Sequence, residues 1–468
     1  MTTEATTAPQ PLQAAHDVVT HAMERLHVPG VGLGLLHEGH EYVSGFGVGN
    51  VEAPLPVTGD TLFQIGSITK TFTATTIMRL VDRGELDLDV PIRTYLPDFE
   101  FAGDAAATIT TRHLLQHSSG IEGDLFQDTG RGDDALAGYV SRMRTFPPVA
   151  PVGALFSYSN GGFTLAGRLI EVVTGQVYET AVRELLLDPL GLTDSSFFAE
   201  QVMLRRFAVG HGVINERAEV MRGSHPDIPT GEREWWAILR SCAPEGGLAC
   251  SPRDLLHYAR FHLGNGAAPD GTRLLEPESL QAMHAPAVPA GPDGWVGLSW
   301  FIRDVQGIRI VSHDGGTNGQ IARLLFVPER DFALAILTNA DRGGRLAREV
   351  EQTALATFLG IKEPEPRVQE RSATELAAYV GRYENEAPTG GVIVSVRDGL
   401  LALEHIPRPS LPGAGADLEP QTSRAAFCGD DQIVILDGPG KDTCAEFLRD
   451  SQGTVRWFRW GRAFRRRS

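Results

Sequence analysis

Lysine is nearly absent from this chain of 468 residues: of its 42 basic side chains only Lys70, Lys362 and Lys441 are lysines. A formal charge of −17 excludes a strongly basic surface, and no clustered groove is present that would neutralise a nucleic-acid backbone. Cysteine is scarce as well. Cys242, Cys250, Cys428 and Cys444 are too few for a disulfide scaffold and none has C-x-x-C spacing, so reduced thiols are expected. No apolar stretch approaches the length of a membrane span, and Met1-Thr2-Thr3-Glu4 opens neither a charged nor an apolar leader. A cytoplasmic protein without a membrane or nucleic-acid partner is therefore expected. G-x-S-x-G does not occur, which excludes the nucleophile elbow of α/β-hydrolases. His113 and His117 have i,i+4 spacing, but the glutamate of H-E-x-x-H is missing, so no metal and no other cofactor is expected.

What is present is an ordinary globular composition, 42 % hydrophobic and 22 % charged, in a chain long enough for two or three domains. Val31 to Leu36, Glu38-Gly39 and Tyr42 to Gly45 predict a β-hairpin, and Gly30-Val31-Gly32-Leu33-Gly34 lacks the strand-turn-helix context of a nucleotide loop. Helical spacing of apolar residues predicts helices from Ser67 to about Gly84, from Thr110 to His117, from Gly161 to Thr174 and from Arg345 to Leu359. Ser251-Pro252-Arg253-Asp254 has the form of a capping box. Gly307 to Ser312, Ile321 to Val327 and Phe332 to Thr338 predict strands, and together these elements predict an α/β layer structure over residues 1–362. A Pro/Glu-rich linker covers 363–372. Short β-type runs separated by turns then predict a small antiparallel β-barrel over 373–468.

Lys70 lies three residues after Ser67 in Ile65-Gly66-Ser67-Ile68-Thr69-Lys70. At the start of a helix that spacing puts hydroxyl and amine on one face. An amine among apolar groups loses hydration, its pKa falls, and it becomes a base toward the serine. An isolated S-x-x-K is equally compatible with a buried structural lysine. Two further groups bear on the choice. Tyr158-Ser159-Asn160 precedes a helix, where a phenol and an amide can both point into a cleft, and His313-Asp314-Gly315-Gly316 follows a strand, with glycines that allow a ligand close to backbone N–H groups.

In this order and spacing the three groups resemble the serine β-lactamase and penicillin-binding-protein superfamily. Ser67-Ile68-Thr69-Lys70 matches its S-x-x-K, Tyr158-Ser159-Asn160 its Y-x-N, and His313-Asp314-Gly315 stands where many members have K-T-G. Ile109 to Ile121 and Gly246-Gly247-Leu248 resemble supporting segments of the family. The resemblance covers roughly residues 15 to 360 and implies an antiparallel sheet flanked by helices. It also implies catalytic roles: Ser67 as nucleophile, Lys70 as base, Tyr158 as proton relay, Asn160 orienting Lys70 and the substrate, and an oxyanion hole from the backbone N–H groups of Ser67 and Gly316. His313, Asp314 and Gly315 would line the substrate site.

Histidine is not a fixed cation as lysine is, so anchoring of a penicillin-type carboxylate does not carry over. H-x-G is similar to D-aminopeptidases and to stand-alone penicillin-binding-protein-type thioesterases, which release and macrolactamise nonribosomal peptides. Many of the latter carry a C-terminal lipocalin-like domain. That resemblance implies a peptidyl or acyl (thio)ester substrate delivered by a carrier protein of a nonribosomal peptide synthetase. A D-stereospecific peptidase or esterase, and a non-catalytic sensor on the same fold, are the alternatives. Arg462 would clamp a carboxylate if the β-domain folds back over the cleft. Glu122 and Asp124 are placed to meet a substrate ammonium or to form a solvated loop, and Trp235-Trp236 to form an apolar wall or to pack.

Overall fold

The computed structural model describes residues 10–221, 236–292, 294–386, 390–406 and 421–467. Its first sheet is antiparallel and has eight strands: β1 (Gly30–His37), β2 (His40–Gly47), β3 (Val288–Gly291), β4 (Gly294–Val296), β5 (Phe301–Val305), β6 (Ile308–Thr317), β7 (Gln320–Val327) and β8 (Phe332–Thr338). The order across it is β2-β1-β8-β7-β6-β5-β4-β3. Five longer helices flank it: α1 (Gln10–Leu26), α2 (Thr69–Asp82), α3 (Asn160–Thr174), α4 (Pro252–Leu263) and α5 (Gly343–Leu359).

Every residue of β8 is buried because both faces of the sheet are covered. Phe332, Leu334 and Ile336 pack with α1 and α5, whereas Ala333, Ala335 and Leu337 join the core built on α2, α3 and α4. The small residues on that second face let α4 come close. A Cβ on Gly32 would lie 2.5 Å from Pro252 Cγ, and one on Gly34 would lie 3.0 Å from the Pro252 carbonyl oxygen. The Gly-x-Gly-x-Gly run is thus a packing device within β1. The Ser251 hydroxyl accepts the Asp254 N–H at 3.1 Å, but the return bond of a capping box is absent: the Asp254 carboxylate takes the Asp194 N–H at 2.7 Å and the Ser195 hydroxyl at 3.0 Å.

α2 is buried almost throughout, although its sequence Thr-Lys-Thr-Phe-Thr-Ala-Thr-Thr is rich in hydroxyls. Thr71, Thr73, Thr75 and Thr76 each donate to a backbone carbonyl one turn back, at 2.8 to 3.3 Å, so the hydroxyls enter the core satisfied. The Thr110–His117 helix is shorter than predicted. It spans Thr111–Leu115 and is capped by Thr110, and His117 follows it in a left-handed conformation at φ 53°.

Beyond α5 and a helical turn at Ala373–Ala377, the strands β9 (Gly381–Glu384), β10 (Gly391–Arg397), β11 (Leu400–Ile406), β12 (Gln421–Phe427), β13 (Gln432–Ile435), β14 (Cys444–Arg449), β15 (Val455–Trp460) and β16 (Arg462–Arg465) pair in chain order. A bridge between Tyr383 and Arg466, with the Arg467 N–H donating to the Arg382 carbonyl at 2.8 Å, brings the last strand back to the first. The result is a nearly closed antiparallel barrel. Among the described residues no helix is long and apolar enough to cross a membrane.

Four buried histidines besides His211 set the acid limit of this fold. His262 and His284 share a hydrogen bond of 3.0 Å in the main core, and His117 and His313 lie beside Lys70 and Tyr158. Burial lowers all four, His284 and His313 to about 3. Below the ordinary value of 6.5 the unfolded chain binds protons that the folded chain refuses, so stability falls as pH drops from about 6.5 toward 3. The slope is about 1.4 kcal/mol per pH unit for each such histidine. The unfolding temperature is expected to fall steeply between about pH 6 and pH 4.5, and His284→Gln to flatten that slope. A profile flat to about pH 4.5 would contradict the neutral assignment.

Candidate active site

Ser67 lies in a 3-10 turn, Gly66–Ile68, that leads directly into α2, and it is the one partly exposed residue in the stretch from Thr61 to Lys70. Lys70, in the first turn of α2, is fully buried, and its amine donates to Ser67 Oγ at 3.0 Å and to the Glu245 carbonyl at 2.6 Å. Burial pulls the amine down to about 7. Glu245 and Asp124 oppose that shift and Arg462 adds to it. The Glu245 carboxyl is itself buried and pushed upward.

The Tyr158 ring lies between charged and aromatic neighbours. Lys70 Nζ and Arg462 Cζ are each 5.0 Å from its centroid, and His117 stacks on it at 4.3 Å. Burial drives the phenol pKa up, against a hydrogen bond with Ser67 and the Arg462 charge. One neighbour of the serine is thus shifted toward a neutral base and the other held as a protonated acid, the division that acyl transfer needs.

His313, Asp314, Gly315 and Gly316 do not follow a strand end; they lie inside β6, which runs on to Thr317. β6 pairs with β5 only as far as Ser312, opposite Phe301, whereas its pairing with β7 continues to Thr317. The β5 side of residues 313–317 therefore has no strand partner among the described residues. Gly315 brings this segment against the serine turn: a Cβ there would lie 1.8 Å from the Ile65 carbonyl oxygen and 3.0 Å from the Ser67 nitrogen. A Cβ on Gly66, at φ 50°, would lie 2.6 Å from the Gly316 nitrogen. The amides of Ser67 and Gly316 thus lie on two touching backbones, and that of Ser67 belongs to a first helical turn, whose N–H groups have no partner within the helix.

The other expected residues are placed differently. His313 uses Nδ1 to donate to the Asp314 carbonyl at 2.6 Å, which leaves Nε2 without its proton; burial and the nearby Lys70 keep the ring neutral. It offers no cation to a carboxylate. Strand alternation turns the Asp314 side chain to the opposite face, where it meets Arg323 at 2.5 Å, so it does not line the serine site. Asn160 is the first residue of α3 and donates to Asp124 Oδ1 at 3.0 Å, while the hydrogen bonds of the Lys70 amine go to Ser67 Oγ and the Glu245 carbonyl.

Arg462 does reach the cleft from the barrel, and the carboxylate it meets is that of Asp124, at 2.7 Å for Nη2 with Nε on the other oxygen. Glu122 accepts from Asn385 at 3.2 Å, so both acids are buried at the seam with the barrel, and neither stands in a solvated loop. The seam includes backbone. The Tyr158 N–H donates to the Gly461 carbonyl at 3.0 Å, and the Ala463 N–H to Ser157 Oγ at 3.1 Å. Trp236 packs on Phe207 and donates to the Ala208 carbonyl at 2.8 Å, a structural use, and Trp235 lies outside the described residues. His113 closes the cap of the Thr111–Leu115 helix. Sequence reasoning missed His117, Glu245 and Phe301, whose ring lies 5.3 Å from that of His313. Two of these bore a signal: His117 within the Ile109 to Ile121 segment, and Glu245 as the neighbour of Gly246-Gly247.

Comparison with known proteins agrees with this architecture. Penicillin-binding protein 4 of Amycolatopsis lactamdurans is 35 % identical over 372 residues, 77 % of this chain and 94 % of that protein. The crystal structure of SurE matches with a TM-score of 0.75 at 26 % identity, over 98 % of this chain and 99 % of SurE, and the structure of SurE with D-Leu with 0.74 at 25 %. The octameric penicillin-binding protein homologue from Pyrococcus abyssi matches with 0.64 at 26 %, over 94 % of this chain and 96 % of that one. Residues 15–358 match the family described as Beta-lactamase, and the chain belongs to that family of serine hydrolases and acyltransferases.

Proposed function

We propose that the protein is a serine acyltransferase that takes a peptidyl (thio)ester onto Ser67 and releases it by attack of the peptide's own amine, giving a macrolactam. The observation that carries this reading is the 3.0 Å contact between Ser67 Oγ and a buried Lys70 amine lowered to about 7, under a barrel hairpin bonded to Tyr158. Neutral Lys70 takes the Ser67 proton as Oγ attacks the carbonyl; the carbon–sulfur bond breaks and the thiol leaves with a proton relayed through Tyr158. The oxyanion is held between the N–H groups of Ser67 and Gly316. The amine then attacks the ester, loses its proton to Lys70 through Tyr158, and Ser67 Oγ leaves reprotonated.

Two features favour an amine acceptor and a D-configured residue. The hairpin at Gly461 and Arg462 covers Tyr158 and limits water, and the similarity to SurE, solved with D-Leu, supports a D-residue at the acyl site. A carrier protein of a nonribosomal peptide synthetase is the proposed donor. Hydrolysis by the same acyl-enzyme is the second reading, favoured by the similarity to a penicillin-binding protein. Incubation with a linear peptidyl N-acetylcysteamine thioester ending in a D-residue is expected to yield cyclic peptide, seen as loss of one water relative to the acid. Linear acid alone would refute cyclisation and leave the hydrolase.

A further inference from the structure

Asp124 is 6 % exposed and belongs to none of the three motifs. Its Oδ1 accepts from Arg462 Nη2 at 2.7 Å and from Asn160 at 3.0 Å, and its Oδ2 is ion-paired with Arg462 Nε, so it joins the barrel to the first turn of α3. Resting on the acyl-enzyme reading above, we infer that Asp124 is a positioning residue through which the barrel acts on the reaction: held by Arg462, it fixes Asn160 and offsets the guanidinium charge beside Lys70.

The surroundings of Lys70 single out this pair. Facing the amine are Ser67 of its own turn, Tyr158, Cys242 and Glu245 from the segment packed on α2, His117 after the Thr111–Leu115 helix, and His313 of β6, besides Asp124 and Arg462. Burial keeps His117 and His313 neutral and the Tyr158 phenol and Cys242 thiol protonated, and it raises the Glu245 carboxyl. Arg462 stays charged: burial disfavours its cation, but Asp124, Tyr158 and Glu122 together outweigh that cost. Arg462 favours neutral Lys70 and Asp124 favours the ammonium, so the two act on the base with opposite sign. An ion pair that engages both carboxylate oxygens, with a hydrogen bond from Asn160 besides, also fixes geometry that a lone charge would not.

The test is the rate of Ser67 labelling by an alkyl fluorophosphonate, followed by intact mass between about pH 5 and pH 10, whose acid limb reports deprotonation of Lys70. Asp124→Asn is expected to move that limb to lower pH and Arg462→Met to higher pH, each by about one unit, and the double variant to return near the parent. Arg462→Lys, which keeps the charge and loses the fork, is expected to hold the limb in place while slowing the plateau. Limbs that stay put, or that shift in the same direction in both single variants, would overturn the inference. An Arg462→Met protein altered only in KM for a peptidyl thioester would do so too, by assigning the guanidinium to the substrate. No labelling of the unmodified protein would instead overturn Ser67 as nucleophile.

Discussion

Lys70→Met is expected to slow acylation of Ser67 by about three to four orders of magnitude at neutral pH while leaving the unfolding temperature within about 4 °C of the parent. The two halves have different causes. Removing the amine takes away the base 3.0 Å from Ser67 Oγ. It also removes a fully buried cationic group whose desolvation already drives it toward neutrality, and a methionine of similar length fills the space. Two acceptors, Ser67 Oγ and the Glu245 carbonyl, lose a donor, at a cost of about 1–3 kcal/mol that the relieved desolvation opposes. A structural lysine would behave in the opposite way, with stability collapsing and labelling of the surviving folded fraction little changed. Burst kinetics with a p-nitrophenyl ester, together with thermal unfolding, separate the two. Since Ser67 and Lys70 act as a unit, Ser67→Ala/Lys70→Met is expected to be no slower than Ser67→Ala alone.

Gly315→Ala is the second large effect, and it acts through backbone. Its Cβ would lie 1.8 Å from the Ile65 carbonyl oxygen and 3.0 Å from the Ser67 nitrogen, with no flexible side chain to give way. β6 or the serine turn must move, and either movement misplaces an N–H aimed at the developing oxyanion. A lost donor of this kind costs about two to three orders of magnitude in kcat, and the overpacking about 1–3 kcal/mol of stability. Gly316→Ala, one residue on, would meet only Ile321 Cδ1, at 3.4 Å, and is expected to lose far less. Equal losses in the two variants, measured as acylation rates, would mean that close approach at Gly315 is not what matters.

The parts of the site that were legible in the sequence are those set by local spacing. Ser67 and Lys70 needed only a helical turn between them, and α3 announced its end with Gly175, which takes φ 69° there. β8 read as a strand because a doubly covered strand is continuously apolar. What was illegible depends on distant partners. His313-Asp314-Gly315-Gly316 has poor strand propensity, yet pairing with β7 carries the strand through it. β9 and β16 are short and β12 is polar, so only the pairing that the barrel supplies marks them as strands. Asp124 looked like a loop acid since its partner Arg462 lies 338 positions away, inside an arginine-rich stretch. The burial of α2 was hidden by threonines whose hydroxyls are satisfied within their own helix.

The seam between Tyr158 and Gly461 also sets a timetable. A ribosome emits Tyr158 about three hundred residues, and Ser67 and Lys70 nearly four hundred, before the hairpin that holds the tyrosine loop, so a nascent chain carries the nucleophile long before its lid. Closing so large a loop is entropically costly and comes late in folding. Until that hairpin is in place the Tyr158 N–H has no Gly461 carbonyl and Asp124 no Arg462, so the serine site is completed last.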